Sequence, residues 1–275
     1  MPSRKTVQNI IQKKQQGEKI VMLTAYDYPL AKLLDQCGVD IVLVGDSLAN
    51  VVLGLPNTKY VGMAEMLHHT KAVNRGVEKA MLVGDMPYEA YQKDPREAVN
   101  NANKFVKEAG CDAVKIEWFK DCQLVVEKLV AAGISVMGHV GLTPQTAEEY
   151  KVQGKKAEDA KNIINQAKQL EVWGCFCIVL ECVPDKLAQV ITNSLSIPTI
   201  GIGASVYCDG QVLVTPDMLG MFDDYRPKFV KQFVDVKALI IQGINQFKNE
   251  VASSTYPDDQ HSFTMSDEEW DKLSS

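Results

Sequence analysis

The sequence contains no run of about 18 consecutive apolar residues, the length that a membrane-crossing helix requires. Its first residues, Met1, Pro2, Ser3, Arg4 and Lys5, lack the apolar stretch of a secretory signal. Basic residues form no cluster: 29 Lys and Arg stand against 35 Asp and Glu, a formal net charge of −6, and the pI is near 5.3. That balance argues against nucleic acid or an anionic membrane as partner. The chain has no CxxC, and its seven cysteines form an odd, scattered set. Neither a disulfide framework nor a thiolate zinc site is indicated, and a reducing compartment, the cytoplasm, is expected. Cys175 and Cys177 alternate within a strand-like run, which would aim both thiols at one face, and they are read as core packing. A dinucleotide fingerprint is also missing, because Gly201-Ile202-Gly203 lacks the third glycine and falls late in the chain. His68 and His69 are neighbours that point about 100° apart on a helix, and neither has a second histidine four residues on.

What the chain has instead is a recurring way of ending an apolar run. Ile41, Val42, Leu43, Val44 and Gly45 close on Asp46 and Ser47. Met81 to Gly84 close on Asp85 in the same way, and further runs end at Glu117, His139 and Glu181. Short β-favouring runs of this kind read as strands covered on both faces, with a polar end emerging from the core. If the strands are parallel, all five ionisable groups converge on one mouth.

In chain order, a short helix over 6–16 stops at Gly17, and a first strand follows from Lys19. Strand-then-helix units succeed one another without a break in composition. An eighth strand is weakly marked at Val212, Leu213 and Val214, and a last helix is predicted over 229–247. The loop over 50–60, with Gly54 and Pro56, and the turn-rich stretch after His139 are longer than plain connections. The count is that of a (β/α)₈ TIM barrel, for which 275 residues and 46% hydrophobic content suffice. One barrel domain with an N-terminal helix is expected over 1–252 and a C-terminal tail over 253–275. A doubly wound open sheet is the alternative fold.

Carboxylates that share one mouth need a cation, a proton or a basic residue to coexist at neutral pH. Asp46 and Asp85 follow equivalent Val-Gly-Asp triplets, and Glu117 can join them directly or through a water. An all-oxygen set that retains waters suits Mg²⁺ better than zinc. The alternative is that these carboxylates cap helices or pair with arginine. Lys115 projects to the same side of its strand as Glu117, and an inward ammonium is costly unless paired, so it is assigned to an anionic substrate. Ser47 can donate to a substrate carboxylate beside Asp46. A Mg²⁺ chelated by a 2-oxo acid stabilises an enolate, and Glu181 is then the candidate base for the adjacent proton. Chemistry alone reaches metal-assisted enolisation of a keto acid and leaves the electrophile open.

Ordered motifs across the chain resemble one family. They are Thr24-Ala-Tyr-Asp-Tyr28, Val44-Gly-Asp-Ser-Leu48, Val114-Lys-Ile-Glu117, Gly138-His-Val-Gly-Leu-Thr-Pro-Gln145, Tyr150-Lys-Val-Gln-Gly154, Leu180-Glu-Cys-Val-Pro184, Ile200-Gly-Ile-Gly-Ala204 and Asp209-Gly-Gln211. Tyr256-Pro257 and His261-Ser-Phe263 follow in the tail. Together they closely resemble the ketopantoate hydroxymethyltransferases. The resemblance implies a barrel of the phosphoenolpyruvate/pyruvate superfamily, Mg²⁺ as cofactor and a homodecamer. It also implies hydroxymethyl transfer from 5,10-methylenetetrahydrofolate to 3-methyl-2-oxobutanoate, giving 2-dehydropantoate on the route to pantothenate. By motif, Asp46 and Asp85 match metal ligands and Glu117 a metal-associated carboxylate. Ser47, Asp85, Lys115 and Asp46 match substrate contacts, Glu181 the proton acceptor, and His139 a site-lining position.

Some positions depart from the family pattern. Thr146, Ala147, Glu148 and Glu149 run straight into the Tyr-Lys-Val-Gln-Gly motif without the usual Gly-rich insertion. Ser205 stands where relatives carry glycine, and is strained if that position takes φ > 0. Trp118 and Phe119 replace glycines, and Asn50 and Leu55 alter the loop after Asp46. These changes bear on the folate side. The competing functional reading is a non-catalytic metal- and keto-acid-binding barrel, or a related lyase of the superfamily.

Overall fold

The structure is a computed structural model that describes residues 3–147, 149–221 and 227–274. It opens with α1 (Val7–Gln16), started by Thr6, whose hydroxyl accepts from the Asn9 amide, and ended by Gly17 at φ 71°. Then come β1 (Ile20–Thr24), α2 (Tyr28–Gln36), β2 (Ile41–Val44), the one-turn α3 (Leu48–Val51) and α4 (Met63–Asn74). They are followed by β3 (Met81–Asp85), α5 (Pro95–Asn103), β4 (Ala113–Glu117), α6 (Gln123–Ala131), β5 (Val136–Gly141) and α7 (Ala157–Val172). The chain continues through β6 (Cys177–Glu181), α8 (Asp185–Ser194), β7 (Thr199–Ile202), β8 (Gly210–Leu213), α9 (Thr215–Met218), α10 (Val236–Ala252) and α11 (Asp267–Ser274).

The eight strands form a closed barrel in sequence order, and every pairing is parallel, including β1 with β8. Closure removes sheet edges, so each strand is covered on both faces and can be apolar throughout. Alternation then divides the core in two. Ile20, Met22, Leu43, Val83, Met137 and Val179 fill the interior, while Val42, Leu82, Val114, Ile116, Ile178 and Leu180 face the helix layer. α1 closes the end of the barrel where the strands begin: Ile10, fully buried, joins the interior cluster, a burial that contributes roughly 1.5–3 kcal/mol. Asp40, at the start of β2, fastens this plug by accepting from Lys5 and Lys13 at 2.8 Å each and from the Val21 amide at 2.9 Å.

Three details differ from the sequence reading. The last helix begins at Val236 rather than Phe229, because Asp235 caps it through the Ala238 amide (3.1 Å) while the Phe233 and Val236 amides bond back to Met218 and Leu219. No residue of α10 is buried; Leu239 and Ile244 are each 60% exposed. Cys175 and Cys177 do not share a face: β6 starts only at Cys177, which lies inside the barrel, whereas Cys175 sits in the turn after α7 and packs in the helix layer. Finally, Ser205 is not strained. Among the described residues only Cys182 and Ser254 combine a side chain with positive φ, and Ser205 instead stabilises its turn by accepting from the Tyr207 amide through its hydroxyl at 3.2 Å.

Candidate active site

Strand parity carries the chemistry inward. Met81 and Val83 face the interior, so Asp85 does too; the same alternation turns Lys115 and Glu117 of β4, His139 of β5 and Glu181 of β6 towards the barrel axis. Register then sets neighbours. Asp85 pairs with Lys115 across β3 and β4, and Glu117 with His139 across β4 and β5. Asp46 and Ser47 lie beyond the end of β2 and reach the same mouth from a turn.

A cavity of about 790 Å³ opens at this mouth. Asp46, Ser47, Asp85, Lys115, His139 and Glu181 all line it. Glu117 does not: it is fully buried behind the wall, where both carboxylate oxygens accept from the Gln145 amide at 3.2–3.3 Å. Behind it lies a network that sequence reasoning did not assign. The Tyr91 hydroxyl accepts from the Glu117 amide and donates to Gln145 Oε1, each at 3.2 Å, and Gln145 Nε2 donates to the Met86 carbonyl. Tyr26 was missed as well; its buried hydroxyl is 2.8 Å from Ser47 Oγ. Both Gln145 and Tyr26 fall inside recognised motifs, but a turn-rich loop and a strand end gave no hint of partner.

The electrostatics are those of acids held in a dry place. Lys115 Nζ donates to both Asp85 oxygens, at 2.8 and 2.7 Å, and the Asp46 amide donates to Asp85 Oδ2 at 3.2 Å. Burial, with the Asp46 charge adding, pushes Asp85 up to about 7 in spite of the ammonium. The burial of Lys115 works to lower it, but the carboxylates of Asp85, Asp46 and Glu117 outweigh that and hold it above the ordinary lysine range. Glu117 is raised well above a normal carboxylate by burial and by its acidic neighbours. Glu181 rises to about 8 through burial and the nearby Asp46 charge. His139 is driven well below its usual value by burial and Lys115, and is therefore neutral. A carboxylate with a value near neutrality at the wall of a cavity is suited to taking a proton from carbon.

The residues also fit a hard cation. Among the described residues no three His, Cys, Asp or Glu side chains converge as a full protein cage. Asp46 Oδ2, however, is buried without a hydrogen-bond partner next to Asp85. An orphaned carboxylate oxygen in that setting is satisfied by an ion that keeps most of its waters, the habit of Mg²⁺. Of the loop departures, Trp118 stacks on Trp173 with ring centroids 5.4 Å apart, and Phe119 packs on Tyr88 and Tyr91, so both fill the helix layer rather than the cavity. Glu148 lies outside the described residues.

Solved structures share the architecture at low sequence identity. A phosphonopyruvate hydrolase complexed with oxalate and Mg²⁺ superposes with a TM-score of 0.61 at 12% identity, covering 98% of this chain and 95% of that one. A 2,3-dimethylmalate lyase, a member of the PEP mutase/isocitrate lyase superfamily, gives 0.58 at 11%, with 93% and 91% covered. These show the barrel fold. Sequence relatives are much nearer: the 3-methyl-2-oxobutanoate hydroxymethyltransferase of Syntrophomonas wolfei is 50% identical over 98% of this chain and 99% of its own. That of Desulfotalea psychrophila is 51% identical over 96% and 95%. Residues 4–259 match the sequence profile described as ketopantoate hydroxymethyltransferase, and the chain therefore belongs to the ketopantoate hydroxymethyltransferase family.

Proposed function

We propose that the chain transfers a hydroxymethyl group from 5,10-methylenetetrahydrofolate to 3-methyl-2-oxobutanoate, giving 2-dehydropantoate. The observation that carries the reading is Glu181, a carboxylate raised to about 8 at a cavity wall that also presents Asp46, Ser47, Asp85 and Lys115. Lys115 and Ser47 bind the substrate carboxylate, with Tyr26 fixing the Ser47 hydroxyl. Glu181 takes the C3 proton. One water hydrolyses the two C–N bonds that hold the one-carbon unit, leaving tetrahydrofolate and a formaldehyde carbon. The electron pair at C3 forms the new C–C bond to that carbon, while the formaldehyde carbonyl oxygen takes up a proton and becomes the hydroxyl. Mg²⁺, held by Asp46 and Asp85 with Glu117 behind them, supplies Lewis-acid polarisation of the oxo acid when bound. The neutral His139 keeps a second positive charge away from the Lys115 ammonium and lines the wall beside the base.

The apolar face of α10, carrying Leu239, Ile240, Ile244 and Phe247, is exposed along its length, which supports assembly with further copies, as in the homodecamer implied by the family resemblance. Among the described residues no helix is long and apolar enough to cross a membrane, in keeping with the cytoplasmic location we propose. The reaction is tested by incubating the chain with Mg²⁺, 3-methyl-2-oxobutanoate and 5,10-methylenetetrahydrofolate and following 2-dehydropantoate by mass spectrometry. Product formation supports transfer. Binding of the oxo acid without product would favour the non-catalytic barrel.

A further inference from the structure

His68 and His69 are neighbours on α4, and the helix sends them to different surroundings. Met66, Thr70 and Val73 form its buried stripe, and His69 lies on the flank of that stripe, partly buried, while His68 is exposed. His69 Nδ1 is 2.7 Å from the Tyr26 carbonyl oxygen. A carbonyl can only accept, so Nδ1 carries the proton and donates. Tyr26 lies between the end of β1 at Thr24 and the start of α2 at Tyr28, so a side chain from a third element fixes this short bridge.

The other end of Tyr26 reaches the cavity. The residue is 2% exposed, its hydroxyl is 2.8 Å from Ser47 Oγ, and the Thr24 hydroxyl bonds it as well. Thr24 Oγ1 in turn accepts from the Thr215 amide at 3.0 Å. An amide can only donate, which leaves the Thr24 proton free to point at Tyr26 and the Tyr26 proton at Ser47. The Ser47 proton is then directed into the cavity, which Thr24 and Ser47 both line. Turned the other way, Ser47 would offer a lone pair to a carboxylate and repel it.

We propose that His69 is a positioning residue for the oxo acid: by holding the Tyr26 backbone it seats the phenol that aligns Ser47 on the substrate carboxylate. His69 itself does not line the cavity. The inference rests on the reaction proposed above, in which Ser47 binds that carboxylate, and adds which residue outside the cavity keeps it in register.

The test uses the full chain with Mg²⁺ and reads two quantities, the Kd of 3-methyl-2-oxobutanoate by calorimetry and the rate of C3 deuterium exchange at saturating oxo acid without folate. His69→Leu is expected to raise Kd about fivefold, the scale of one hydrogen bond, with saturated exchange within about twofold of wild type. His69→Asn, whose side-chain amide puts an N–H where Nδ1 stood, is expected to return Kd to within about twofold of wild type. His68→Leu should leave it unchanged. Tyr26→Phe is expected to raise Kd about fivefold, and Tyr26→Phe with His69→Leu by little more, because both act through one hydroxyl. A wild-type Kd in His69→Leu, no recovery in His69→Asn, or effects that multiply to about 25-fold in the double variant would overturn the positioning role. Oxo-acid binding with the variants weakened and coupled as stated, but no 2-dehydropantoate formed by the wild-type chain, would contradict the transfer reaction and uphold the positioning role. A wild-type chain that does not bind the oxo acid would contradict both.

Discussion

His139 Nε2 stands 3.2 Å from Glu181 Oε2, while Nδ1 of the same ring is 3.6 Å from Glu117 Oε1. Neither nitrogen is aligned for a hydrogen bond. The ring is thus a neutral dipolar spacer between two buried acids. In the proposed reaction Glu181 works as a carboxylate; with its value at about 8, exchange of the substrate C3 proton should fall as pH drops below about 8. Replacing the spacer, His139→Leu, removes a polarisable neighbour and should move the midpoint upward. A pH profile of kcat/KM for exchange checks both statements.

Asp46 presents a buried oxygen that no protein group satisfies. Asp46→Asn should therefore weaken Mg²⁺ binding by isothermal calorimetry. Loss of an outer partner of a metal ligand typically costs about 10–100-fold in affinity, and a ligand itself should cost no less. Wild-type affinity would remove Asp46 from the metal set.

Raised acids make a definite statement about stability. Glu181 and Asp85 have folded values of about 8 and about 7, against roughly 4 in an unfolded chain. Between these limits the folded state binds more protons, so stability falls as pH rises from about 4 to about 8. Asp40, lowered by Lys13 and Lys5 against its burial, has the opposite sign but acts only below that window. The melting temperature in a chelator should be lower at pH 8 than at pH 5.5, and Mg²⁺ should raise it more at pH 8. A chelator melting temperature that is flat across this range would contradict the account.

Gly141 ends β5 at φ 96°, and a Cβ there would run into the Glu181 carbonyl oxygen. The Glu181 backbone, paired into the barrel, cannot yield cheaply. Gly141→Ala should cost more than about 2 kcal/mol in denaturant unfolding and displace the strand end that carries Glu181. Gly133→Ala is the control: it has φ 76° but open space around it, so only the conformational penalty of about 1–2 kcal/mol applies.

Much of the barrel was legible because its strands are buried on both faces and close on ionisable residues. Asp85, Lys115, His139 and Glu181 followed from that pattern alone, since a period of two fixes which side they face. Asp46 also reaches the mouth, but from a turn, where period-two reasoning says nothing. The retreat of Glu117 behind the wall depends on Gln145 and Tyr91, which come from other elements. The same limit explains Cys175, which lies before its strand begins, and the last helix, whose start is set by the Asp235 cap. Ser205 was judged from the glycine it replaces, whereas the local turn gives it an ordinary backbone.

In the proposed reaction, residues from separate strands enolise one bound oxo acid with Glu181 as base. Proton exchange at C3 of 3-methyl-2-oxobutanoate in D₂O with Mg²⁺ and no folate, followed by NMR, tests it most directly. Wild-type chain should exchange the proton, and Glu181→Gln should slow exchange by at least about 100-fold while still binding Mg²⁺. Exchange by Glu181→Gln at the wild-type rate would contradict the claim.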